Sequence, residues 1–216
     1  EQPLRESLSL LYRELADYCE AKYSLLTQHT DPEKALPPLL VRQQKAVDLI
    51  TQCYQQMHML SAQNNTDYKR MLRIFQEALD LQEHISVSLH QPEEVQKLVE
   101  RSHAEEVIRW NAQTVAARLR VLADDILYHR LPTRFTMEKQ IGALEKIARQ
   151  HPDNPVGQFC YWHFSRIARV LRTQKPLYAR DLLADKQRRM PLLPALKSYL
   201  SLKSPALRNA GRLSVM

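Results

Sequence analysis

Apolar positions recur along most of this chain at alternating three- and four-residue steps, the spacing that stacks side chains on one face of a helix. Residues 67–130 show it most clearly: Tyr68, Met71, Leu72, Phe75, Ala78, Leu79, Ile85 and Leu89 form one stripe, and Ile108, Val115, Leu119, Leu122 and Ile126 form a second. Between them His90, Gln91 and Pro92 break the pattern, and Glu93 and Glu94 follow just inside the new helix, where acidic residues favour a start. The pattern predicts two long antiparallel helices facing each other, a central hairpin on which the other segments pack.

Four further segments read as helices. Residues 3–28 place Leu4, Leu8, Leu11, Leu15 and Tyr18 on one stripe and Arg5, Glu6, Arg13, Glu14, Asp17 and Glu20 elsewhere; residues 38–62 carry Leu40, Val47, Ile50, Tyr54 and Met57, with Met57 and Met59 read as core filling. Residues 136–149 repeat the pattern through Met137, Ile141, Leu144 and Ile147, and residues 155–173 turn Phe159, Trp162, Ile167, Val170 and Leu171 to the core, with Asn154 as cap and Pro155 in the first turn. The pattern weakens beyond Pro176, and Pro191, Pro194 and Pro205 cut the remainder into short pieces. The expected fold is all-α, an antiparallel helical bundle of about six main helices with a long central hairpin. It is expected over residues 1–173, followed by a basic, proline-broken amphipathic tail at 174–203 and a terminal segment at 204–216.

Composition supports that outline. A chain of 216 residues can bury one sizeable core, and three glycines are too few for glycine-rich phosphate loops or many tight hairpins. Cys19, Cys53 and Cys160 each sit in an apolar helical pattern and read as buried free thiols in a reducing compartment. No run approaches the roughly 18 apolar residues that a membrane-spanning helix requires. Glu1, Gln2 and Pro3 lead straight into a helix with neither an initiator Met nor a signal peptide, and residues 213–216 turn apolar and stop. The expectation is a domain of a longer protein.

Charge divides sharply along the chain. Residues 1–171 carry 21 basic and 22 acidic residues, whereas residues 172–216 carry 10 and 2, so the overall net charge of +7 belongs to the tail. Lys186, Arg188, Arg189, Lys197, Lys203, Arg208 and Arg212 are its candidate membrane-surface residues, since basic segments beside an apolar stretch are retained on the cytoplasmic face and drawn to anionic lipid. Tyr178 and Tyr199 do not interleave regularly with these charges as base-stacking platforms would, and no nucleic-acid partner is expected.

Candidate chemistry is sparse. Glu100 and His103 have the Glu-x-x-His spacing of carboxylate-bridged di-iron bundles, but such a site needs a second pair, and no other Glu has a His three residues on; the spacing reads as a solvated helix face. Cys160 and His163 could share a metal, yet tetrahedral zinc needs four ligands, and core packing beside Trp162 is the simpler reading. There is no nucleophile elbow, Walker loop or dinucleotide fingerprint. Neither an enzyme, a cofactor nor a metal is expected. Asp80, Glu83 and His84 on the first long helix, with Glu100 and His103 across the break, form the candidate interaction patch: a folded-back hairpin would let them face one another, and otherwise they face solvent.

Phe75, Ala78, Asp80, Leu81, Glu83, His84, Ile85, Ser86 and Ser88 resemble the Asp-[Ile/Leu]-x-Glu and serine-rich run of the YccS/YhfK family of bacterial inner-membrane proteins, relatives of the fusaric acid resistance and aromatic acid exporter proteins. Ser204, Pro205, Arg208, Ala210, Arg212 and Leu213 are similar to the segment that opens the second membrane bundle in that family, with Asn209 in place of its commoner His and Gly211 in place of a larger apolar residue. Across the whole chain the likeness is greatest to the YhfK branch. The resemblance implies a cytoplasmic domain between two membrane-helix bundles of an efflux-type transporter, serving assembly, gating or partner contact, with homo-oligomerisation and an unknown substrate. The alternative is a stand-alone helical adaptor whose basic tail binds acidic lipid or nucleic acid; phosphate binding would weaken steeply with salt, and helix-mediated assembly would not.

Overall fold

The structure, a computed structural model, describes residues 2–27, 31–60, 66–86, 92–130 and 135–173. Among the described residues there are seven helices and no strand: α1 (Gln2–Thr27), α2 (Pro32–Leu60), α3 (Thr66–Ser86), α4 (Pro92–Arg101), α5 (Glu105–Leu127), α6 (Glu138–Gln150) and α7 (Pro155–Thr173). The all-α bundle expected from periodicity is what forms. His90, Gln91 and the whole basic tail, including its seven candidate membrane-surface residues and the segment 204–216, lie outside the described residues.

The bundle is not organised around a hairpin of residues 67–130. Its hub is α1, which packs mainly on α5 and also on α2, α3 and α4. Sixteen of its 26 residues are buried, including Leu4, Leu8, Leu11, Tyr12, Leu15, Cys19 and Tyr23, so apolar surface is removed from water on more than one face. Side-chain contacts set the directions. Arg5 reaches Asp67 at 3.2 Å, Tyr12 donates to the Ile74 carbonyl at 3.1 Å and Lys22 donates to the Ile85 carbonyl, so α3 runs parallel to α1. Arg13 meets Asp124 at 2.6 Å and Arg120 meets Glu20 at 2.6 Å, so α5 runs antiparallel. The apolar stripes of α3 and α5 therefore find partners on α1 instead of on each other. Gln96 and Arg109 donate to the Leu25 and Thr27 carbonyls, at 2.6 and 3.4 Å, and cover backbone acceptors that the last turn of α1 leaves without helical partners.

The second half of the expected hairpin is two helices. At the end of α4 the His103 amide donates to the Glu100 carbonyl at 3.0 Å and the Ala104 amide to the Val99 carbonyl at 3.2 Å, while His103 adopts a left-handed φ of 49°. This is the Schellman arrangement, completed by burial of Val99 and Ala104, except that His occupies the position glycine usually takes. With no Gly or Pro at the break, the sequence pattern showed only an interruption of the stripe. His129 closes α5 in the same way, with φ 55° and an Arg130 amide bond of 2.9 Å to the Asp125 carbonyl.

Helix α2 begins at Pro32, six residues before the expected Pro38. The Asp31 carboxylate accepts from the Glu33 amide and the Asp31 carbonyl from the Lys34 and Ala35 amides, each at 3.1 Å. Pro37 and Pro38 then lie within the helix. They deprive the Glu33 and Lys34 carbonyls of donors, which is tolerable because both residues are exposed to water. Met57 is buried but Met59 is exposed. In α7 the Asn154 cap holds, its side-chain oxygen accepting from the Val156 amide at 3.0 Å, yet the core face is Val156, Cys160, His163, Phe164, Ile167 and Leu171, and Trp162 is exposed. Trp162, expected to turn to the core, instead faces water beneath the Arg166 guanidinium. A Cβ on Gly157 would lie 3.4 Å from the Ala148 Cα, so glycine permits the close approach of α6 and α7.

Two expectations follow for denaturant unfolding. Leu8→Ala should cost about 2–5 kcal/mol, whereas Met59→Ala should stay within about 0.5 kcal/mol. Replacing His103 with glycine should raise stability by about 1 kcal/mol, because the left-handed backbone is then unstrained, and His103→Ala should give no such gain.

Candidate functional site at the end of the third helix

The Ile85 carbonyl, in the last turn of α3, lies buried in the bundle and needs a donor there. α1 and α7 bring polar side chains to that end. The Lys22 ammonium donates to the Ile85 carbonyl, placing a cation at the negative end of the α3 dipole, and the His163 imidazole faces the His84 backbone. Around them lie Cys19 and Cys160, both fully buried, and the Tyr23 and Phe164 rings, whose centroids are 4.5 Å apart. Lys22 Nζ also sits 5.9 Å over the Tyr23 ring.

Desolvation dominates the electrostatics. Burial pushes the Lys22 ammonium down to about 8, opposed by its two thiol neighbours. Burial pushes the Cys19 and Cys160 thiols up to about 12 against the pull of Lys22. The His163 imidazole is driven down to about 4, by burial first and the Lys22 charge second. Near neutral pH the thiols are protonated and poorly nucleophilic, the imidazole is neutral and the ammonium is charged. The cluster holds a helix end in place, and its chemistry is that of hydrogen bonding and charge.

The predicted patch divides in two. Asp80, Glu83 and His84 occupy the rim of this cluster, where Asp80 and Glu83 are exposed and His84 half-buried. Their cationic neighbour is Arg166 of α7, which stacks 3.7 Å over the exposed Trp162 ring and helps to hold the His84 imidazole below its ordinary range, after the larger effect of burial. Glu100 and His103 are exposed at the corner between α4 and α5, and α4 packs on α1 and α7 instead of running along α3. His103 lies in the left-handed turn, so the Glu-x-x-His spacing does not set two ligands on one helix face. Cys160 and His163 both lie on the buried face of α7.

A ladder of ion pairs that no local sequence pattern announces runs along α1. Glu14, only 3% exposed, lies 3.3 Å from Arg42 and 2.5 Å from Lys45 of α2. Asp17 lies 3.2 Å from Arg42 and 2.8 Å from Arg120, and Arg120 also reaches Glu20, so α2 and α5 are joined across α1. Glu14 falls off the apolar stripe of α1, yet it is interior because α2 covers it. Lys22 carried a readable signal, since it falls four residues after Tyr18 on the apolar stripe of α1.

These observations define an all-helical domain with charged groups threaded through its core. The family model for FUSC-like inner membrane protein yccS matches residues 1–182, and the chain belongs to that family of inner membrane, transporter-related proteins. No solved structure matches the chain. Among the described residues no helix is long and apolar enough to cross a membrane.

The buried imidazole makes stability depend on acid. Between its ordinary value of 6.5 and about 4, the unfolded chain binds a proton at His163 that the folded chain does not, so this contribution is present above pH 6.5 and is lost as pH falls through that window. Urea unfolding at pH 7 and pH 4.5 should show a smaller acid loss for His163→Gln than for the unsubstituted chain. Equal losses would remove His163 as a source of acid sensitivity.

Proposed function

We propose that these residues form a cytoplasmic helical domain of an inner-membrane efflux-type transporter, acting through assembly, gating or partner contact without catalysis. The reading includes homo-oligomerisation and no nucleic-acid partner. One observation carries the contact role. On α5 and at its C-cap, Trp110, Val121 and Tyr128 are about half exposed, at 45, 45 and 60%, although all three carry large apolar side-chain surface. Tyr128 follows Trp110 by 18 residues, about five helical turns, and Val121 follows it by 11, about three, so the three lie along one line. Leu10 of α1, 54% exposed, belongs to the stretch that Arg5 and Arg13 hold alongside His129 and Asp124. A row of this kind is characteristic of surfaces that meet another protein. The cytoplasmic side is supported by the basic residues concentrated after position 171.

Light scattering on the 216-residue chain should give a mass above that of the monomer, equally at low and high salt, and Val121→Glu should return it to the monomer. A monomer throughout, or dissociation by salt, would remove the α5 surface as an assembly contact. For sidedness, a green fluorescent protein joined after residue 173 of the membrane-embedded protein should fluoresce, while alkaline phosphatase joined there should be inactive; the reverse would place the domain across the membrane.

A further inference from the structure

α6 and α7, joined by a short turn, diverge to leave an open groove of about 300 Å³, the lower end of the range for small-molecule sites. One wall carries the carboxylates of Glu138 and Glu145, and the other the guanidiniums of Arg169 and Arg172. Among the described residues no ion pair spans the groove: Arg169 and Arg172 join none, and Glu145 pairs with Arg149 of its own helix through one carboxylate oxygen. Charges of opposite sign therefore face one another with a space between them.

Two independent features mark that space. Ser165 lines it, and its Oγ is buried without a hydrogen-bond partner, a state that costs free energy unless a ligand or water relieves it. Gly142 sits inside α6, where glycine costs about 1 kcal/mol relative to alanine. It has no positive φ to justify it, and a Cβ there would meet nothing within 4 Å. Gly157, by contrast, is needed for packing. What the missing side chain at Gly142 leaves is open groove.

We propose that the groove binds a zwitterion carrying a phosphate and a primary ammonium, the phosphate on Arg169, Arg172 and the Ser165 hydroxyl and the ammonium on Glu138 and Glu145. Two cations facing two anions favour neither a simple anion nor a simple cation. A tetrahedral phosphate also takes donors arriving from several directions, as two guanidinium forks and a hydroxyl on one wall supply them, whereas a planar carboxylate takes them largely in one plane. The same chemistry occurs in a free amino-alcohol phosphodiester and in an ethanolamine phospholipid headgroup. The inference concerns another face from the α5 surface and does not depend on it.

The test titrates the isotopically labelled 216-residue chain with glycerophosphoethanolamine, following the amide resonances of Gly142 and Ser165. Saturable shifts are expected. Glycerol phosphate and ethanolamine should each bind at least about tenfold more weakly, since each leaves one pair of charges unmatched. Gly142→Leu should fill the groove and weaken binding by at least about tenfold, with an unfolding midpoint no lower than before; Arg169→Gln should weaken it similarly with an unchanged fold. A second arm compares vesicles of equal parts phosphatidylethanolamine and phosphatidylglycerol with vesicles in which phosphatidylcholine replaces the ethanolamine lipid. Tighter binding to the first vesicles than to the soluble probe assigns the site to lipid, and no such gain assigns it to a free ligand. Glycerol phosphate binding as tightly as the zwitterion, unchanged affinity in Gly142→Leu, or no saturable shift with either soluble or vesicle-borne probe would overturn the proposal.

Discussion

The structure depends on the burial of α1. A helix covered by α5, α2, α3 and α4 takes several of its polar side chains out of water, and each one taken inside needs a partner to offset lost hydration. Glu14 has Arg42 and Lys45, Tyr12 has the Ile74 carbonyl, and Lys22 has the Ile85 carbonyl. These partners come from two different helices. Each polar bond thus fixes the register of a neighbour that apolar contacts alone would leave free to slide. Replacing one partner of Glu14 would strand a buried charge, a larger penalty than the pair's own net contribution.

The same constraint shapes the end of α3. Because that end is turned inward, α1 and α7 must bring donors to it, and doing so draws Lys22, His163 and two thiols into one apolar setting. Desolvation then sets their protonation, holding thiols and imidazole neutral, so the cluster is electrically quiet near neutral pH apart from the Lys22 ammonium. The exposed rim above it, Asp80, Glu83, His84 and Arg166, is where polar groups remain available to solvent. In a protein of this inner-membrane family that buried interior is distinct from the solvent-facing surfaces, among them the α5 row and the groove between α6 and α7.

Helix content and most boundaries were legible from periodicity because a face to be buried must repeat at the helical period. The Asn154 cap with Pro155 was legible too, since capping depends on a few neighbouring residues. The turn at His103 was not, because a left-handed C-terminal residue is normally announced by glycine and here is histidine. The early start of α2 was hidden by Pro37 and Pro38, whose missing hydrogen bonds are harmless only where water reaches the carbonyls.

Of the candidate site, the sequence identified Asp80, Glu83 and His84 as an unusual polar group but joined them to Glu100 and His103. Local pattern cannot say which helix lies beside which. By itself the chain determined that it forms amphipathic helices, where most of them stop, and that its basic residues gather after position 171. Only the tertiary structure decided that α1 stands between α3 and α5, that Glu14 and Lys22 are interior, and that Trp162 faces water. Those outcomes follow from contacts between residues tens of positions apart, where the side chain of one helix satisfies the buried polar group of another, and no repeat within a single helix records them.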